Sequence, residues 1–354
     1  MRTFDGYYNG INLGGWLSQF ESYDIFHFES FITEDDLRKI SLAGFDHVRV
    51  PVDYSVLEDE YGNRKETGYD YLDRCLGWCM KYGLNMLIDL HECYGYSFDP
   101  LKKDDKRKFF YDSDLQERFL KLWEQIAIHF KEHSSRIAFA ALNEVVHADV
   151  AGPWNDLIAR FIRRLRRIVP DVWLVFGGVC YNSAQQIVSL DIPADERTVY
   201  EFHCYEPMLF THQGAHWIDG MPASFRTGYP RTRTEYLDAG ASLGLMLGEG
   251  IYLNDVRDPG NGFFEDCFST AVKKAEADNV PLYCGEYGVI DLAEREDILL
   301  WYKDIRTAFE KYSIGHALWN YKGLSFETWP EDGSSVADDD QNTSDQTETC
   351  LTRP

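Results

Sequence analysis

At 354 residues and 44% hydrophobic composition, the chain can bury a large core, as one α/β barrel or as two ordinary domains. Its formal charge of −24 excludes nucleic acid and anionic membrane as partners, since both would repel it, and leaves a solvated acidic exterior. No apolar run is long enough to span a membrane.

Along the chain, short apolar runs alternate with amphipathic segments. The predicted strands are Gly10–Gly15, His47–Val52, Asn85–Glu92, Ile137–Glu144, Val172–Gly178, Thr198–Tyr205, Pro281–Gly288 and Gly315–Tyr321. Their near-continuous hydrophobicity, without period-two alternation, is what strands covered on both faces require. Between them, Thr33 caps a predicted helix running to Ala43, with Asp36 three residues on as a carboxylate variant of the capping box. Further helices are predicted at Tyr69–Tyr82, Asp114–His133, Pro153–Val169, Phe264–Asp278 and Glu294–Tyr312. No internal repeat is visible, so solenoids and propellers drop out. Eight βα units point to an α/β fold, a (β/α)8 TIM barrel over residues 1–330. A doubly wound sheet would instead leave the polar strand ends dispersed along an edge.

One interval, from Tyr205 to Pro281, is too long for a single helix. Residues 206–262 are therefore expected to fold as a small inserted subdomain after strand six, over the barrel mouth. Residues 331–354 are acidic and nearly devoid of large apolar side chains, and read as a poorly ordered tail. The one basic stretch (Arg160, Arg163, Arg164, Arg166, Arg167) reads as an outward helix face. Eight cysteines include no zinc-type CxxC pair, and several fall in predicted strands as small hydrophobes. With no apolar signal-peptide core at the N-terminus, a cytoplasmic location is expected, although a chain stripped of an export signal would read the same.

Barrel active sites sit at the C-terminal ends of the strands. There the sequence offers Arg49, His91, Asn143, Glu144, His203, Tyr205, Glu286 and Trp319, all groups able to bond to or stack against a sugar. Glu144 and Glu286 each end a buried run, "IAFAALNE" and "PLYCGEYG", where an unpaired charge costs several kcal/mol. A facing carboxylate pair is what glycoside hydrolysis needs.

The motifs "HVRVP", "IDLHE", "LNE", "EFHCYEP", "CGEYG" and "ALWNYKG" resemble glycoside hydrolase family 5, from Asn9 to about Trp329. "INLGGW", "GFDHVR", "THQGAHW" and "WNYK" are similar to its non-secreted bacterial cellulases, which carry a small subdomain after strand six. The resemblance implies a retaining endo-β-1,4-glucanase acting on β-glucan, with Glu144 as acid/base and Glu286 as nucleophile. It implies that Asn143 holds the sugar 2-hydroxyl, and that Arg49 and Tyr205 bond to the nucleophile and keep it ionised. His91 and His203 would line the subsite, Trp319 would form the stacking floor, and Trp217 would lie over the substrate. Two departures stand out: Glu92 replaces a second histidine after His91, and the tail does not match a closing helix. No cofactor or metal is implied, and a monomer is expected.

Within the same machinery, a β-1,4-mannanase or a β-1,3-glucan-active hydrolase stays open. From another class, a metal-dependent barrel isomerase or hydrolase could use His91, Glu144, His203 and Glu286 as ligands. Against it stand Arg49 beside the site and the lack of an HxH pair. A non-catalytic carbohydrate-binding barrel would not need both glutamates.

Overall fold

The computed structural model describes residues 1–103, 105–245 and 256–327. The expected acidic tail, 331–354, and part of the expected insertion, 206–262, lie outside the described residues. Eight parallel strands close a barrel in chain order. They are β1 (Asn9–Asn12), β2 (His47–Asp53), β3 (Asn85–Glu92), β4 (Ile137–Ala140), β5 (Trp173–Gly177), β6 (Thr198–Cys204), β7 (Leu282–Tyr287) and β8 (Gly315–Leu318). The fold is the (β/α)8 barrel that the buried runs require.

Strand ends differ from expectation in two places that matter. Arg49 is not near the end of β2 but in its middle, because Val50 and Val52 continue the ladder with β3. β4 stops at Ala140, so Glu144 stands on the connection beyond the strand and not at its last position. The backbone there leaves the ladder after Ala141 N–H donates to Val175 O (2.9 Å), and Asn143 N–H turns to Leu90 O (3.0 Å).

Helices follow their sequence signals closely. Thr33 and Asp36 form the capping box of Glu34–Leu42, and Gly83, at φ 77°, terminates Glu66–Tyr82 in the left-handed region that favours glycine. The arginine stretch on and just after Ala151–Leu165 is engaged locally: Arg164 pairs with Glu117 at 2.6 Å and Arg166 with Asp195 at 2.6 Å.

The chain forms two compact units. The first, Met1–Cys204 with Phe268–Tyr287 and Tyr312–Leu318, holds all eight strands. The second comprises Tyr205–Cys267, Gly288–Lys311 and the described residues from Trp319 onward, so it takes in more than the inserted segment. Within it, Ala215, Ile290, Trp319 and Phe326 form an apolar cluster, against which Tyr205, Trp217, Ile218 and Leu324 pack.

Inside the barrel the pleat sorts residues by depth. Leu87, Ala138, Val175, Val199, Tyr283 and Ala317 belong to one buried apolar cluster with Phe4 and Tyr7. Because side chains two apart on a strand share a face, the next residues above Leu87 and Val199 are Asp89 and Glu201, and above these come His91 and His203. On β7 this phase would make Gly285 an inward residue. An irregularity in register pairs His203 with Glu286 instead, and so re-aims Glu286 inward. A Cβ at Gly285 would lie 2.0 Å from Glu201 Oε1, so a larger residue there requires the Glu201 carboxyl to move.

Candidate active site

Arg49 is fully buried and organises the site. Its Nη1 donates to Glu286 Oε1 (2.8 Å) and Asn12 Oδ1 (2.9 Å), and its Nη2 donates to Asn143 Oδ1 (2.9 Å). Asp89 Oδ2 lies 3.1 Å from Nη2 and Glu201 Oε1 3.4 Å from Nε. Burial alone would lower the guanidinium pKa, but Asp89, Glu201 and Glu286 together raise it, so Arg49 stays charged. One cation thus stands among three buried carboxyl groups.

Glu144 is held by its own backbone. Its φ of 28° lies in the left-handed region, where a non-glycine residue is strained and must be held by its surroundings. Tyr96 Oη donates to Glu144 O (2.7 Å) and accepts from Val146 N–H (3.0 Å), while Tyr181 N–H donates to Val145 O (3.0 Å). The side chain meets His203, whose Nδ1 lies 2.8 Å from Glu144 Oε1 and 3.6 Å from Glu286 Oε2. One polar atom from each of Glu144, His203 and Glu286 lies within 4.8 Å of the others.

The electrostatics separate the two glutamates. Burial first, and then the facing Glu286, push the Glu144 carboxyl well above the ordinary range; Arg49 opposes this, while Asp89 and Glu201 add to it. Glu144 is thereby kept protonated while Glu286 accepts a hydrogen bond from a guanidinium. His203 is driven well below its usual value by burial, Arg49 and His91, so it is neutral. The three groups of the Glu144–His203–Glu286 cluster could ligate a cation, but the Arg49 guanidinium against Glu286 places a fixed positive charge there.

The structure therefore brings Arg49, Asn143, Glu144, His203 and Glu286 together. His91 lies one layer above Asp89, its Nδ1 2.7 Å from Asp89 Oδ2 and its ring edge-on to Phe98. Glu92, at the top of β3, accepts from Lys102 Nζ (2.5 Å) and Ser97 Oγ (2.5 Å). Tyr205, Trp217 and Trp319 belong to the second unit: Tyr205 packs edge-on to His212 and Phe326, and Trp217 is half-buried in the same cluster as Trp319.

Asn12, Asp89, Tyr96 and Glu201 were not read from the sequence. Asn12 Nδ2 donates to Gly285 O (3.0 Å), Leu318 O (3.2 Å) and Ala317 O (3.3 Å), tying β1 to β7 and β8. For Asp89 and Glu201 a signal existed: each is an acid two positions before a histidine in a buried run, "DLH" and "EFH", and so on the same inward face.

The sequence pattern of the cellulase family (glycosyl hydrolase family 5) matches residues 9–325. The chain belongs to glycoside hydrolase family 5. Among its family 5 relatives, Endoglucanase C of Acetivibrio thermocellus is 39% identical over 93% of this chain and 95% of its own. Cellodextrinase A of Ruminococcus flavefaciens is 39% identical over 87% of this chain and 84% of its own. Among solved structures, endoglucanase Cel5A of Thermotoga maritima superposes with a TM-score of 0.72 at 22% identity, covering 94% of this chain and 96% of its own, and so speaks for the fold.

Proposed function

We propose that this family 5 chain is a retaining endo-β-1,4-glucanase that hydrolyses β-glucan by double displacement. The observation that carries the reading is the spacing of the two carboxylates. Polar atoms of Glu144 and Glu286 approach within 4.8 Å. Retaining enzymes hold the pair about 5–5.5 Å apart, whereas inverting ones need about 6.5–9.5 Å to admit a water between them. The name and 39% identity of Endoglucanase C support the substrate class.

In the first step Glu286 attacks the anomeric carbon as the C–O bond breaks, and Glu144 gives its proton to the departing glycosidic oxygen. In the second, Glu144, now ionised, takes a proton from water as that water displaces Glu286 and restores the starting state. Arg49 fixes Glu286 as an acceptor, and it holds the oxygen of Asn143, turning the amide nitrogen away as a donor for the sugar 2-hydroxyl. His91 and His203 line the sugar site. The substrate contacts of Tyr205, Trp217 and Trp319 rest on the family pattern. No resident metal is required by these steps.

NMR of the first-formed product on mixed-linkage β-glucan tests the mechanism: the β-anomer is expected, and an α-anomer would mean inversion. Product profiles on soluble cellulose, laminarin and mannan test the substrate. Action on mannan with none on β-glucan would overturn that part alone. A chelator should leave activity unchanged; loss reversed by a divalent ion would favour metal chemistry.

A further inference from the structure

Beneath the catalytic pair, on β6, lies a carboxyl group that neither step uses. Glu201 is wholly buried on β6, two residues below His203 and on the same face. Its Oε1 stands 3.4 Å from Arg49 Nε and 4.0 Å from His203 Nε2. Among the described residues, both Glu201 oxygens, Arg49 Nε and His203 Nε2 are buried without a hydrogen-bond partner. Buried polar groups are costly when unpaired, and these are one another's nearest complements. The Glu201 carboxyl occupies the space that the missing side chain of Gly285 leaves open. The terminal torsion of a glutamate is broad, so a modest rotation brings an oxygen within reach of Nε2 while the other faces Arg49.

We propose that Glu201 is a positioning residue that holds His203 as the Nδ1–H tautomer, and through it keeps the Glu144 proton on the oxygen that meets the leaving group. This rests on Glu144 being the acid. A neutral Glu201 donates its O–H to Nε2 and offers its carbonyl oxygen to Arg49 Nε–H. His203 then carries its hydrogen on Nδ1 and donates to Glu144 Oε1, which leaves the acidic proton on Oε2. An ionised Glu201 would accept from Nε2–H instead. Nδ1 would then be bare and would draw the Glu144 proton into the imidazole, away from the substrate.

The groups facing Glu201 favour the neutral form. These are Arg49 on β2, Asp89 on β3, Glu144 beyond β4, His203 on β6 itself, and Tyr283 and Glu286 on β7. Burial raises the carboxyl most, Arg49 opposes, and Asp89 and Glu286 add to the rise, taking it to about 8.

The test is ¹⁵N NMR of the histidine rings, with His203 assigned by the signal lost in His203→Asn. The wild type at pH 6 should show a protonated Nδ1 and a bare Nε2. Glu201→Gln should keep that tautomer, because its amide N–H still donates to Nε2, and should hold it at pH 9, where the wild type shifts toward Nε2–H. In kinetics, Glu201→Met should lower kcat/KM on cellodextrins by about tenfold or more, yet stay within about twofold of wild type on aryl cellobiosides whose leaving groups need no proton. Glu201→Gln should restore the cellodextrin rate. An Nε2–H His203 in the wild type at pH 6, or equal losses on both substrates, overturns the proposal. If Glu201→Met does not fold, the wild-type spectrum decides. If Glu144→Ala itself has no leaving-group dependence, the assignment of the acid fails, a result distinct from failure of Glu201 alone.

Discussion

Strands β3 and β6 carry the same short arrangement, a buried acid two residues below a buried histidine, and both acids reach Arg49. On β3 the pair is closed: His91 Nδ1 sits 2.7 Å from Asp89 Oδ2, and the ring is fixed as part of the wall. On β6 it is open at 4.0 Å, and His203 turns its Nδ1 to Glu144 instead. The difference lies in which nitrogen meets the acid below. Spending Nδ1 on Asp89 anchors a histidine, whereas sparing it lets the ring act on a proton that belongs to another residue.

The largest effect should come from the group beside the open pair. Glu286→Ala should lower kcat by a factor on the order of 10⁵ with circular dichroism unchanged, judged by what loss of a nucleophile costs elsewhere. Retained turnover would mean that the open pair serves some other chemistry. Next is the cation common to both strands. Arg49→Met leaves Asp89 and Glu286 without their counter-charge and Glu201 without its Nε–H neighbour, and should cost about 3–5 kcal/mol in denaturant unfolding. A neutral outcome would show that the carboxylates hold one another by sharing protons.

The comparison is sharpened by its two histidines. His203→Ala should cost roughly 100-fold in kcat, while His91→Ala should act mainly through KM, because only His203 touches the acid. Equal kcat losses would erase the distinction. The smallest effect concerns pH and stability. Glu201 titrates at about 8 when folded, above the ordinary 4.5, so the folded state holds a proton that the unfolded chain gives up. Its contribution is fully present below about pH 4.5 and is lost as pH rises through about 8. Thermal melts from acid to alkaline pH should therefore show wild type losing ground to Glu201→Gln, and parallel curves would count against a protonated Glu201.

The barrel was legible because strands buried on both faces read as unbroken apolar runs, and the helix at Glu34 because Thr33 and Asp36 satisfy its first turn locally. Glu144 and Glu286 were legible as acids closing such runs. What escaped depends on partners distant in sequence. β4 ends at Ala140 because of where Val175 and Leu90 lie, which no property of "ALNE" announces. Tyr96 acts on Glu144 from a loop 48 residues away. Asp89 and Glu201 escaped because each lies within its strand, below the strand ends where a barrel site is sought, yet Arg49, itself mid-strand, meets both.

The close fit of Gly285 under Glu201 makes the two positions epistatic. With a Cβ at 285 meeting the Glu201 carboxyl at 2.0 Å, any substitution of Gly285 must displace that carboxyl from its place beside Arg49. Shortening Glu201 first removes the obstacle, so the order in which changes accumulate decides which sequences can be reached. A library randomised at 285 alone should favour glycine, whereas one randomised at 201 and 285 together should recover alanine or serine at 285 more often, beside a small residue at 201.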